Sequence, residues 1–290
     1  EYIGSLASSK ANIMPIPLLV VLEGGKHADN STDFQEFLIM PKGAKNFRES
    51  LRYGIEVYYS LKKVLKSKGY NTNVGDEGAF APNLNSNEEA VELITMSIEK
   101  AGYSFKDVSI ALDSASSEIY ENDKYNLKKE KKQLNSDEMI DLYTNWIEKY
   151  PIVSIEDGLA EDDWDGWQKL NKKLGDKIQI VGDDLLVTNV KRIQRAIELK
   201  AVNSALIKLN QIGTVSETIE AIKLSKKNNF KTILSQRGAE TEDTFAADFA
   251  VGASVSQFKF GPTRSERVAK YNRLLRIEEE LGKKAGFAKL

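Results

Sequence analysis

The run Ile178-Gln-Ile-Val-Gly-Asp-Asp184, followed by Val190-Lys-Arg-Ile-Gln-Arg-Ala-Ile-Glu-Leu-Lys200 and then Ser204-Ala-Leu-Ile-Lys208, decides the fold. Its first and last segments are apolar runs of the length of a buried strand, and the middle one places Val190, Ile193 and Ile197 at helical spacing. Strand, helix and strand in about 30 residues make one βα unit of a parallel sheet.

The unit recurs on both sides. Val108-Ser-Ile-Ala-Leu112, Ile152-Val-Ser-Ile155, Thr232-Ile-Leu234 and Ser256-Gln-Phe258 read as further strands. Helical patterns cover Ser136 to Tyr150, with Ser136 as N-cap, Asp163 to Leu174, Thr214 to Asn228, a shorter stretch from Asp243, and Ser265 to Leu281, closed by Gly282. The residues that end the strands, Asp113, Glu156, Asp183, Lys208, Ser235 and Lys259, are spaced 43, 27, 25, 27 and 24 apart. The long first interval holds a Lys-rich insertion, Lys128 to Lys132, expected as a solvated loop. Two more strands, Pro17 to Leu22 and Glu36 to Met40, bring the number to eight, which closes an α/β barrel. Helices Phe47 to Lys68 and Ser86 to Ala101 follow the second, the latter opened by a Ser86-x-x-Glu89 capping box. A doubly wound open sheet is the competing architecture. It calls for a Gly-rich phosphate turn after its first strand, whereas Gly24-Gly25 and Gly75-Asp-Glu-Gly78 are isolated pairs. No linker divides the chain, so one domain is expected.

Forty-one Lys and Arg against 43 Asp and Glu leave a net charge of −2, so nothing draws the chain toward nucleic acid or an anionic membrane. Without cysteine there is no thiol nucleophile, thiolate zinc site or disulfide, and one histidine, His27, cannot build a multi-His centre. Oxygen-ligated Mg²⁺ stays open. The longest apolar stretch, Met14 to Leu22, contains Pro15 and Pro17 and is too short to span a bilayer. No convincing signal peptide precedes it, and the expected location is cytoplasmic.

Functional side chains of parallel barrels gather where strands end. Asp113, Glu156 and Asp183 could converge there on one Mg²⁺, although any one of them would equally serve as a helix N-cap or a loop solubiliser. Lys208 and Lys259 follow two later strands. An ammonium near a divalent cation and other cations has a depressed pKa and can act as a base, while the alternative is a lysine reaching out of the barrel mouth. Arg237 offers a planar fork for phosphate or carboxylate. Metal, amine base and cation together describe abstraction of a proton alpha to a carboxylate, with the metal stabilising the dianionic intermediate. Phosphoryl transfer competes for the same parts, but no phosphate-cradling loop favours it.

From about residue 12 onward these residues, with several longer blocks, resemble the enolase (phosphopyruvate hydratase) family. The blocks are Gly24-Gly-Lys-His-Ala-Asp-Asn30, Asp33-Phe-Gln-Glu-Phe37, Val74-Gly-Asp-Glu-Gly78, Ser154-Ile-Glu-Asp157, Val181-Gly-Asp-Asp184, Leu206-Ile-Lys-Leu-Asn-Gln-Ile-Gly213, Glu240-Thr-Glu-Asp-Thr244 and Arg264-Ser-Glu-Arg267. The resemblance implies a TIM-like (β/α)8 barrel of order ββαα(βα)6 and the reversible dehydration of 2-phosphoglycerate to phosphoenolpyruvate in glycolysis. It implies Asp113, Glu156 and Asp183 as Mg²⁺ ligands, Lys208 as the base and Lys259 beside the substrate carboxylate. Glu77, with Glu36 as neighbour, falls on the acid side. His27, Gln35 and Arg237 fall among the residues that bind a small phosphorylated carboxylate. Trp164, Trp167 and the Tyr58-Tyr59 pair are expected as packing residues.

Departures from the family pattern concentrate near this site. Ser235-Gln-Arg-Gly-Ala-Glu-Thr241 stands for Ser-His-Arg-Ser-Gly-Glu-Thr, and Phe258-Lys-Phe-Gly261 places a ring beside the key lysine. Two asparagines are missing, at Val20 and Glu23, and Ala79 replaces a glycine, where a methyl group is expected to strain the backbone. The family's N-terminal α+β domain has no counterpart between Glu1 and the barrel. Poor turnover is therefore expected unless an oligomer or a separate N-terminal-domain partner completes the site, along with exposed apolar surface where that domain packs. The alternatives are a diverged or engineered barrel acting on another carboxylate, and an inactive barrel kept as a binding module or scaffold.

Overall fold

The computed structural model describes residues 1–290. Eight strands close into a barrel: β1 (Ile16–Glu23), β2 (Glu36–Met40), β3 (Ser109–Asp113), β4 (Ile152–Glu156), β5 (Gln179–Gly182), β6 (Ser204–Ile207), β7 (Lys231–Ser235) and β8 (Gln257–Phe260). They stand in chain order, with β8 pairing onto β1. All neighbours are parallel except β2, which runs antiparallel to both β1 and β3. The ββαα(βα)6 expectation holds.

The reversed strand explains the two consecutive helices. β2 enters at the mouth and leaves at the bottom, and β3 must start at the bottom. An up-and-down pair, Phe47–Ser67 and Asn87–Lys100, restores the direction. The segment between them therefore crosses the mouth, where Phe80 N–H donates to Val21 O at 3.0 Å and Glu23 N–H donates to Phe80 O at 2.9 Å.

Alternation along the strands separates two environments. Outward side chains join the facing helices in one core of 63 buried residues. Inward ones form small apolar patches, Ile16, Leu18 and Val20 with Leu38, Met40, Ala79 and Ala111, and Val181 with Leu206 and Ile233. Below them Gln257 Nε2 donates to Gln179 Oε1 at 2.8 Å, a buried polar plug at the strand starts. Above them the inward positions are charged.

Several local expectations change. Asn135 caps the helix Ser136–Lys149 and forms the capping box with Glu138, displacing Ser136 by one position. Ser86 accepts from Glu89 N–H, but the Glu89 carboxylate turns to Asn85 N–H and Tyr70 OH, so that box is half-formed. The Lys-rich insertion is the turn of a three-stranded antiparallel sheet, Tyr120–Glu121, Lys124–Leu127 and Lys132–Leu134, anchored by buried Tyr125 and Leu127. Trp164, Trp167 and Tyr58 are buried as expected, whereas Tyr59 is 53% exposed. Ala79 does not have a positive φ; that conformation falls on Gly78, at +85°, and the Ala79 methyl packs inside the barrel. Phe260 does not face the site. Because Lys259 points inward, Phe258 and Phe260 point outward, stacked at 4.1 Å, with Tyr271 against Phe258. No helix is long and apolar enough to cross a membrane.

Candidate active site

Strand register sets the mouth. Glu23 pairs with Glu36, Glu36 with Asp113 and Asp113 with Glu156, so four carboxylates arrive at one level from β1 to β4. Asp183 and Lys208 follow β5 and β6, and Lys259 rises inside β8.

Lys259 is the hub. Its Nζ donates to Asp113 Oδ2 at 2.7 Å and Glu156 Oε1 at 2.7 Å, and it lies 2.8 Å from Glu36 Oε2 as an ion pair without hydrogen-bond alignment. It is 2% exposed. Burial works against its charge, but the three carboxylates outweigh that and hold its pKa well above the ordinary lysine value. Burial comes first in pushing up Asp113 and Glu156; the charges of Glu36 and Asp183 add to both, and that of Asp113 to Glu156, against the pull of Lys259. Burial also pushes at Glu36, yet Lys259 and His27 hold its pKa below the usual carboxylate range.

Lys208 Nζ donates to Asp183 Oδ2 at 2.5 Å. Burial pulls this amine down, and the Asp183 charge more than reverses it, so its pKa lies above the ordinary value. The expected depressed lysine is not found while this ion pair stands. Nor do Asp113, Glu156 and Asp183 gather as a bare carboxylate triad, because the two lysines occupy them. The tight groupings of metal-binding atom types, all within 4.8 Å, are Asp157 with Asp183 and Asp184, and His27 with Glu36 and Glu77. Asp157 is committed to turn geometry, accepting from Asp183 N–H at 2.9 Å and Asp184 N–H at 2.8 Å.

The crossing segment delivers Glu77, which is 1% exposed, beside His27. His27 Nδ1 lies 3.4 Å from Glu36 Oε1 and 3.7 Å from Glu77 Oε1, buried and without a hydrogen bond. Burial, then the charges of Glu36 and Glu23, push the Glu77 pKa well above the usual range. Gln236 and buried Arg267 back this carboxyl group. Arg237 is exposed at the rim, its Nη1 3.5 Å from Asn210 Oδ1, and the partly exposed Gln35 makes no side-chain hydrogen bond. These two are not drawn into the cluster. Sequence reasoning missed Glu23, Asp157, Asp184 and Arg267. Glu23 ends a strand in a carboxylate, the same signal that marked Asp113.

Glu23 carries a testable consequence. It is fully buried, its Oε1 accepts from Ala79 N–H at 3.0 Å and its Oε2 from Glu77 N–H at 3.2 Å, and burial raises its pKa from 4.5 to about 7. Between these values the folded state keeps a proton that the unfolded state has released, so stability falls as pH rises toward 7 and the loss then levels off. The ionised group costs about 3 kcal/mol at pH 8. Glu23→Gln keeps the acceptor and is expected to raise Tm at pH 8 but not at pH 4. Equal shifts at both pH values would contradict this.

The residues present fit a divalent cation. Asp183 Oδ1 is buried and has no partner, and the charge of Asp183 helps to push up the pKa of both Asp113 and Glu156, a repulsion that bound positive charge relieves. The family model for the C-terminal TIM barrel domain of enolase matches residues 11–289. With the closed ββαα(βα)6 barrel and acidic mouth in place, the chain belongs to the enolase family as its C-terminal barrel domain.

Proposed function

We propose that this barrel carries the Mg²⁺-dependent interconversion of 2-phosphoglycerate and phosphoenolpyruvate, in a cytoplasmic glycolytic setting. One observation carries the reading: a lysine, Lys208, paired with Asp183 after β6, and a buried carboxyl group, Glu77, whose pKa lies well above the usual range, stand at different places around the mouth. Lys208 follows β6 and Glu77 leans on β1, three places apart in a ring of eight strands. Elimination of a proton and a hydroxide on opposite faces of a substrate needs that separation.

Asp113, Glu156 and Asp183 would hold Mg²⁺, which when bound supplies Lewis-acid stabilisation of the charge that develops on the substrate carboxylate. Lys208, once free of Asp183, keeps the lowering influences of burial and Lys259 against the smaller raising one of Glu156, and takes the C2 proton. Lys259 stays charged and offers its ammonium to the carboxylate. Glu77, with Glu36 and His27 around it, gives a proton to the departing C3 hydroxide, and the buried walls keep bulk water from this exchange.

The test is formation of the enol product from 2-phosphoglycerate with Mg²⁺ and its loss with EDTA. Metal binding is read separately: at about a hundredfold excess over Kd, Mg²⁺ is expected to raise Tm by about 4 °C. Asp183→Asn is expected to cancel that rise, and an undiminished rise would remove Asp183 from the ligand set. The exposed Arg237 and the half-buried Gly238 in the loop after β7 favour a second reading, a superfamily barrel acting on a carboxylate without phosphate. Exchange of an alpha proton in D₂O across a panel of carboxylates separates the two.

A further inference from the structure

Gln236 is a buried side chain at the mouth to which the reaction above gives no task. It follows β7 and is 3% exposed, and both ends of its amide are engaged. Oε1 accepts from Gly261 N–H at 3.1 Å and from Arg267 Nε at 3.0 Å, and Nε2 donates to Glu77 Oε2. A backbone N–H and a guanidinium can only donate, so the carbonyl end must face them and the NH₂ end must face Glu77.

Both donors are themselves fixed. Arg267 is 1% exposed, and its Nη2 donates to Gly238 O at 2.8 Å and Arg237 O at 3.2 Å. A Cβ at residue 261 would lie 1.8 Å from the Glu77 carbonyl oxygen, so only glycine brings its N–H so close. On the far side of Glu77 the surroundings differ. Oε1 lies 3.7 Å from His27 Nδ1, in a group with the Glu36 carboxylate, whereas the hydrogen bond at Oε2 comes from Gln236.

We propose that Gln236 is a positioning residue for Glu77: its fixed N–H holds Oε2, and so presents Oε1 to the mouth as the atom that carries and delivers the proton. This rests on the reading of Glu77 as the acid side. In that step the Oε1–H proton joins the departing hydroxide, the C3–O bonding pair leaves with the oxygen, and water and the Glu77 carboxylate remain. The former C2–H electron pair becomes the new C2=C3 bond. A glutamine has no proton of its own to give, so it acts only through Glu77.

The charged groups facing Glu77 are Glu36, Lys259, Glu23, Arg267 and His27, and a change at residue 236 leaves all of them in place. The experiment follows the infrared band of the protonated carboxyl group, assigned by its loss in Glu77→Gln, against pH in the whole chain. Turnover of 2-phosphoglycerate is measured alongside. In Gln236→Leu the band is expected to persist to a pH about one unit higher, because the carboxylate has lost its donor. kcat is expected to fall about tenfold with KM nearly unchanged. Gln236→Asn, one methylene shorter and still polar, should shift the band the same way if the leucine variant does not fold. A band that titrates at the wild-type pH in the folded variants overturns the proposal. A shifted band in a protein that never turns over 2-phosphoglycerate supports the positioning role and counts against the dehydration reading.

Discussion

Lys208→Ala is expected to lower kcat for phosphoenolpyruvate formation by about a thousandfold, within the range for loss of a positioned general base. Little else should change. The residue's backbone N–H donates to Thr188 Oγ1 at 2.9 Å, so the chain path is held independently of the amine. The side chain keeps some exposure, 14%, and its only partner is Asp183, so truncation leaves no large cavity. The measurement pairs the absorbance of the enol product with washout of a C2 deuteron. Both rates should fall together if Lys208 takes that proton. A variant within about threefold of wild type, far from the hundredfold minimum expected of a lost base, would remove Lys208 from the role.

Lys259→Met should act on the fold itself. The methionine fills similar volume but leaves Asp113, Glu156 and Glu36 facing one another with no cation among them. Removing one partner from a buried ionic cluster costs about 3–5 kcal/mol, because the remaining charges stay desolvated and unpaired. The loss has a pH signature. Asp113 and Glu156 already sit above the usual carboxylate range, and without Lys259 they rise further, so mild acid neutralises them in the variant. The gap in Tm between wild type and variant should therefore be widest near pH 8 and narrow toward pH 5. Mg²⁺ at saturating concentration should narrow it too, by supplying charge to the same oxygens. A pH-independent gap would mean that lost packing, not charge, sets the cost.

The barrel was legible because the βα period is written in short apolar runs that end in charged residues: Asp113, Glu156, Asp183, Lys208 and Lys259 all lie where that period puts them. Glu36 and Glu77 were not legible from residues alone. Glu36 stands at the start of a strand and reaches the mouth only because β2 is reversed, and Glu77 lies in an irregular segment placed by the helix pair on either side. Only the resemblance singled them out. The pairing of lysines with the expected metal ligands was hidden for another reason. Periodicity places a side chain at the mouth but does not say which neighbour its last three bonds will reach. Phe260 was misplaced because a bulky residue next to Lys259 in sequence is on the opposite face of the strand.

The helix pair after β2 makes the segment from residue 68 to 86 a bridge over a mouth otherwise built from strand ends. It is held to the barrel by hydrogen bonds to β1, the Glu23 carboxylate, Gln236 and Thr263, and by Ala79 and Phe80 packed into the core, with no strand of its own in the barrel. The bridge can therefore be exchanged without rewriting any βα unit. One side of the reaction, the side that protonates, would then be open to change while the metal-binding side stays fixed by strand register. Variation in what leaves the substrate is to be sought in this bridge, and variation in what activates it is not.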